Sequence, residues 1–204
     1  MNTNVIYILL ADRLARMRGP ADKPFDPVVS PLFLNAIHEE LRLVADERRG
    51  EPRACPNCGS DAHRKNGYQN EPKTIARLVT AEGIEDVGVD VQQYECRDCG
   101  RSFQGDLSAL FYEGCAYAKP VVDLCVFHAA DESPTACERT LRRQYGLQVH
   151  RDTVERYADR FDDVDGHAID IADHRYSLSF LSFLFGDEDS DEPHFVIQRS
   201  TALW

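Results

Sequence analysis

Apolar residues in this chain recur at helical spacing in five stretches and alternate with polar residues in another. Ile6, Leu9, Leu10 and Leu14 predict a short amphipathic helix over 5–17, ended by Gly19-Pro20. A connector carrying Pro20, Pro24, Pro27 and Pro31 follows. Within it, Ser30-Pro31 has the chemistry of an N-cap and a first helical position. The helix it opens is expected to run to about residue 49, with Leu34, Ile37, His38, Leu41 and Val44 or Ala45 on one face, and Gly50 stops it. Residues 75–79 and 87–94 read as strands. The second alternates through Val87, Val89 and Val91, and Asn66-Gly67 and Glu82-Gly83 supply turns.

Three more helices are predicted over 119–130, 135–145 and 151–161. The first faces inward through Val121, Leu124, Cys125 and His128. The second is capped by Ser133-Pro134 and stacks Cys137, Leu141 and Tyr145 on one side. The third buries Val154, Tyr157, Ala158 and Phe161. A short turn with one glycine, Gly146, between helices of this length is the helix-turn-helix pattern, and a plain helical bundle is the alternative. Residues 162–204 start acidic and turn apolar (Leu178, Phe180, Leu181, Phe183, Leu184, Phe185), a run too short to span a membrane.

Cysteine spacing adds chemistry to this outline. Cys55-Pro-Asn-Cys58-Gly59 and Cys96-Arg-Asp-Cys99-Gly100 are two C-x-x-C units, each followed by glycine, with 37 residues between the pairs. Such a unit points two sulfurs at one ion, and two units supply four thiolates, the donor set of a closed tetrahedral Zn2+ site. A redox C-x-x-C would not need a second copy. The expectation is a zinc ribbon over 53–105 with an extra hairpin or loop between its knuckles, and zinc ribbons often accompany nucleic-acid machinery. His63 reads as a neighbour of the site rather than a ligand, and Phe103 as a packing residue. Cys115, Cys125 and Cys137 lack metal spacing and read as buried thiols. With no signal-peptide pattern and these thiols reduced, a cytoplasmic location is expected.

Charge cuts both ways. The formal net charge is −12, Asp outnumbers Glu 21 to 14, and Arg outnumbers Lys 19 to 4. That composition is typical of proteins that work in near-saturated salt, and an acidic balance usually argues against nucleic acid. Yet residues 139–160 hold six Arg against three acids, and in molar salt a larger basic surface would gain little. On the helix-turn-helix reading, Arg139, Arg142 and Arg143 would contact phosphates and Arg151, Glu155 and Arg156 would read bases in double-stranded DNA. A solvated helix face is the alternative for each of them.

The order of these parts resembles a known family. Cys55-Pro-Asn-Cys58-Gly-Ser, then Tyr94-Glu-Cys96-Arg-Asp-Cys99-Gly-Arg-Ser-Phe103, then Ser133-Pro-Thr-Ala, Leu141-Arg-Arg-Gln-Tyr-Gly146 and Asp152-Thr-Val-Glu-Arg-Tyr157 resemble the N-terminal region of DDE-type insertion-sequence transposases, and a haloarchaeal one in composition. The match covers about 53–161. The resemblance implies a ribbon and helices that bind terminal inverted repeats ahead of an RNase-H-like nuclease domain. Phe183-Leu-Phe-Gly-Asp187-Glu188 resembles the first strand of such a domain, but only 17 residues follow Asp187, where about 100 are needed.

The combined expectation is an α+β chain. N-terminal helices occupy 1–52, a β-rich four-cysteine zinc ribbon 53–105, a three-helix helix-turn-helix domain 117–161, and a tail 162–204. It would bind specific DNA such as insertion-sequence ends, without nuclease activity alone. A homodimer or a full-length transposase is the expected protein partner, and no membrane is involved. A transcriptional regulator, a protein-interaction module and a residual nuclease assembled by oligomerisation are the other readings.

Overall fold

The computed structural model describes residues 27–46, 49–161, 168–171 and 174–185. The helix expected over 5–17 lies outside them, as does Asp187. The described chain is α+β, with helices and small antiparallel sheets arranged around one large core and one small one.

Helix α1 (Pro31–Asp46) begins where its cap chemistry dictates. Ser30 Oγ accepts from the Phe33 N–H at 3.2 Å, satisfying a donor that the first turn leaves orphaned. The helix buries Phe33, Leu34, Ile37, His38 and Leu41; of the predicted face, Val44 and Ala45 are only half-buried, and Phe33 is added.

Strands β1 (His63–Tyr68), β4 (Gln92–Cys96) and β5 (Ser102–Gln104) form a three-stranded sheet, while β2 (Lys73–Val79) and β3 (Ile84–Val89) form a separate hairpin. The extra hairpin expected between the knuckles is therefore present, and its side chains join the large core. Ile75, Ala76, Leu78, Val87 and Val89 all lie there. The single strand expected over 87–94 is broken at Asp90-Val91. Val87, Val89 and Val91 keep one buried phase, but the hydrogen-bonding partner changes from β2 to β1 and β5. Arg49 splints the break, its N–H donating to the Asp90 carbonyl and its own carbonyl accepting from Gln92, both at 2.9 Å. Asn66-Gly67 is not a turn. It lies inside β1, where the register against β4 shifts between Lys65 and Tyr68 as a bulge.

Helix α2 (Lys119–Ala129) buries Val122, Val126 and Phe127 as well as the predicted face, because α3 (Pro134–Tyr145), α4 (Arg151–Arg160) and α5 (Leu178–Phe185) all pack on it. Helix α3 opens on Ser133, whose Oγ accepts from the Ala136 N–H at 3.3 Å, and closes on Gly146 in the left-handed region at φ 66°. Helix α4 buries Val154 and Tyr157 and half-buries Phe161. Ala158, expected inside, is exposed, because the buried stripe steps by three and four from Val154 and passes it by.

Residues beyond 161 are more than a tail. Strands β6 (Ala168–Ile171) and β7 (His174–Ser177) pair as a hairpin, and α5 follows directly. Of the run Phe183–Glu188 likened to the opening strand of an RNase-H-like domain, the described part, Phe183–Phe185, is the last turn of this helix. Ser177 Oγ accepts from the Phe180 N–H at 3.3 Å, and Phe180, Leu181 and Leu184 are buried at helical spacing against α1 and α2.

A buried polar network ties these layers together. His128 Nδ1 lies 3.2 Å from Glu132 Oε1 and its Nε2 lies 3.0 Å from the Tyr145 hydroxyl. Thr140 donates to Glu132 at 2.7 Å, and Gln144 donates to the Arg175 carbonyl at 2.5 Å. Burial pushes the Glu132 carboxyl up, but hydrogen bonds from His128 and Thr140 outweigh it and hold the pKa below its ordinary value. Such a depressed pKa contributes stability above the unfolded value that is lost as pH falls through the folded one. The stability gap between wild type and Glu132→Gln should therefore be full at neutral pH and close below about pH 4. Tyr145→Phe keeps the ring but strips His128 Nε2 of its partner. It should cost about 1–2 kcal/mol in urea denaturation at unchanged m-value. Equal stability would remove the network from the list of stabilising contacts.

Candidate metal centre and helical surface

Two equivalent turns bring the cysteines together. The Cys55 N–H donates to the Ser60 carbonyl at 2.9 Å and its carbonyl accepts from Gly59 at 2.8 Å. The Cys96 N–H donates to Arg101 and its carbonyl accepts from Gly100, both at 2.9 Å. Gly59 and Gly100 sit at φ 74° and 71°, a region that disfavours side chains even though nothing would touch an added Cβ. The result is a four-sulfur group. Cys55 and Cys99 Sγ lie 3.7 Å apart, Cys58 and Cys96 Sγ 3.6 Å apart, and all four sulfurs fall within 4.8 Å of one another. A tetrahedron with metal–sulfur bonds of about 2.3 Å has edges of about 3.8 Å. The group can hold a metal ion, and an ion held by all four sulfurs keeps no position for water or substrate.

Electrostatics agree with a cation here. A donated Arg101 N–H, with help from Asn57 and neighbouring thiols, brings Cys99 down to about 6. At Cys58 the Ser60 N–H pulls down, but the thiols of Cys96, Cys99 and Cys55 push the pKa up to about 12. The crowded sulfurs thus favour the thiolate at Cys99 and resist it at Cys58, a conflict that a divalent ion would remove. Among the described residues no other cluster of three or more metal-binding side chains occurs.

A small core backs the sulfurs. Tyr94 and Phe103 stack with centroids 5.8 Å apart, so Phe103 packs as expected, and His63 meets Tyr94 edge-on at 5.0 Å. The His63 ring belongs to this packing, not to the sulfur group. The unit seats on the rest of the chain through residues the sequence did not single out. The Tyr94 hydroxyl donates to the Gly50 carbonyl at 3.1 Å, and a Cβ on Gly105 would lie 2.5 Å from that same oxygen. The one local signal is a glycine placed directly after β5.

The six residues expected to meet DNA divide into two groups. Arg139 on α3 and Arg151, Glu155 and Arg156 on α4 are exposed. Arg142 and Arg143 are half-buried instead of sharing the outward side with Arg139; Arg142 Nη1 donates to Gln148 Oε1, and the Arg143 carbonyl accepts from the Val28 N–H at 3.1 Å. The Arg151 N–H is held by Glu138 Oε2 at 3.2 Å, and Arg156 lies over the Tyr157 ring at 5.6 Å. The exposed face of α4 carries Asp152, Asp159 and Arg160 too, so its three arginines meet three carboxylates. Cys115, Cys125 and Cys137 are buried thiols as read, and burial raises the pKa of Cys125 and Cys137. No helix of the described chain is long and apolar enough to cross a membrane.

Cys96→Ser should abolish stoichiometric metal binding and speed amide exchange in β1, β4 and β5, while α2–α5 keep their protection. Metal analysis with hydrogen exchange reads both. A variant that keeps one ion per chain and unchanged exchange would break the four-sulfur assignment. No family model, curated protein or solved structure matches this chain.

Proposed function

We propose that this chain is a zinc-stabilised, sequence-specific binder of double-stranded DNA of transposase type, working in a reducing, cytoplasmic setting. The observation that carries the reading is the pairing of a closed four-cysteine group with a neighbouring helical trio. In that trio α2 packs on α3 and α4, and the last helix exposes Arg151, Glu155 and Arg156 from its first turns. Zinc is the ion that four thiolates in a closed tetrahedron favour, with no redox chemistry and no open position. Its role is then to hold a shape.

The helices supply the contacts. In a helix-turn-helix, α4 would enter the major groove by its N-terminal end, and Arg139 on α3 would reach a phosphate. Ser133 and Gly146 fix where α3 starts and stops. The resemblance in residue order to insertion-sequence transposases suggests inverted-repeat ends as the target.

One observation favours a second reading. The balanced charge on α4 suits a protein-interaction module in which the arginines are solvated. Duplexes selected from a random pool, followed by footprinting, separate the two. Arg139→Ala should weaken all duplexes and lower the salt slope by about one. Arg156→Ala should cost about 1–3 kcal/mol on the selected duplex and relax its preference. Protection confined to insertion-sequence ends supports the transposase type, and protection of promoters a transcriptional regulator. A pool that yields no preferred sequence, with Arg139→Ala and Arg156→Ala indistinguishable from wild type, supports the interaction module. One zinc per chain is the expected metal content, and iron in its place would overturn the choice of ion.

A further inference from the structure

The turn between α3 and α4 is bonded to elements far from it in sequence. The Gly146 carbonyl accepts from the Val79 N–H at 2.8 Å, and the Gln148 N–H donates to the Arg77 carbonyl at 2.8 Å. Leu147 bridges Leu78 in the antiparallel sense, and the Tyr117 hydroxyl donates to the Gln148 carbonyl at 3.4 Å. Residues 146–148 are therefore bridged to the free edge of β2, and Leu147 and Val149 are buried.

Helix α1 holds both parts of this arrangement from one face. His38 Nε2 lies 3.2 Å from the Gly146 carbonyl. One helical turn later, Arg42 donates through Nε and Nη2 to the two Glu85 oxygens of β3 at 2.9 and 2.7 Å. The fit at the turn is close. A Cβ on Gly146 would sit 2.5 Å from His38 Nε2, and the φ of 66° disfavours a side chain there anyway. Burial holds the His38 pKa below its usual value, so at neutral pH the ring is uncharged and has one N–H to give.

We propose that His38 is a positioning residue for α4. The imidazole on α1 and the open edge of β2 together lock the α3–α4 turn, so the pose of the DNA-reading helix is set by groups that never touch DNA. This rests on the DNA-binding reading. A turn anchored by its two helices alone would let α4 swing, and base contacts fail with small errors in pose whereas phosphate attraction tolerates them.

The test compares wild type with His38→Ala, His38→Gln and His38→Asn. Each is titrated with the duplex that wild type selects from a random pool and with a random-sequence duplex, over a range of salt. Gln can carry an amide donor to where Nε2 lies, whereas Asn reaches only as far as Nδ1. His38→Ala and His38→Asn should lose about tenfold on the selected duplex, with the random duplex and the salt slope unchanged. His38→Gln should recover most of that loss. Equal losses on both duplexes, a changed slope, or Gln and Asn behaving alike would overturn the proposal. Should His38→Ala melt below the assay temperature, the Gln and Asn pair decides. Without DNA, exchange at the Val79 and Gln148 amides should quicken in His38→Asn and stay slow in His38→Gln. Unchanged exchange in both sinks the positioning role by itself. Wild type that selects no sequence sinks the DNA reading instead, while the exchange result still stands or falls on its own.

Discussion

Four sulfurs in contact are the constraint on which the knuckle end of this molecule depends. The core beside them consists of Cys55, Tyr94, Cys96 and Phe103, with Cys99 packed against it. Burying so few apolar groups cannot offset the conformational entropy of ordering two loops and three short strands. A cation bound by all four thiolates would supply what the apolar side chains cannot, and it would tie β1, β4 and β5 to the two turns at once. The neighbouring body has no such need. Its core runs from α1 through the β2–β3 hairpin to α5 and contains most of the fully buried side chains.

The sequence announced some of this and concealed the rest, for identifiable reasons. Helix starts and stops were legible because their chemistry is local: Ser30 and Ser133 cap, and Gly146 ends a helix. The cysteine group was legible because its spacing repeats. The break at Asp90-Val91 was hidden because alternation reports which face is buried but not which strand is the partner. Phe183–Phe185, likened to the start of a strand, close α5 instead, because so short an apolar run has no period to distinguish helix from strand. What decides is the Ser177 cap and the two helices available to cover it. Sequence spacing puts Arg142 and Arg143 on a face with Arg139, yet residues 146–148 fold back onto β2 and Arg142 donates to Gln148. No local pattern reveals His38 against Gly146, since 108 residues separate them.

Charge limits how the helical surface can work. A chain of net charge −12 whose α4 face balances arginines against carboxylates has little long-range attraction for DNA. Any specificity must then come from close hydrogen bonds made in the right pose, which salt screens far less than exposed charges at longer range. That shifts the demand from cation count to rigidity. Such a demand is consistent with a turn whose backbone groups are paired with β2 and α1 in addition to its own helices.

Helix α1 is where these strands of the structure meet. It reaches the turn through His38 and the hairpin through Arg42. Shortly after it ends, Arg49 splints β3 to β4 and Gly50 receives the Tyr94 hydroxyl from the knuckle core. The four-sulfur group and α4 are separate in sequence and in core, yet each is positioned against this one stretch of chain. Gly105 closes on Gly50 so tightly that the backbones touch where any side chain would intrude. A contact of that kind resists sliding far more than a layer of flexible side chains would, because backbone atoms cannot repack. The knuckle sheet is therefore placed relative to α1 by backbone, and α4 relative to α1 by one imidazole and the edge of β2. Opening of the four-sulfur group would loosen the first attachment through Tyr94 and leave the second intact.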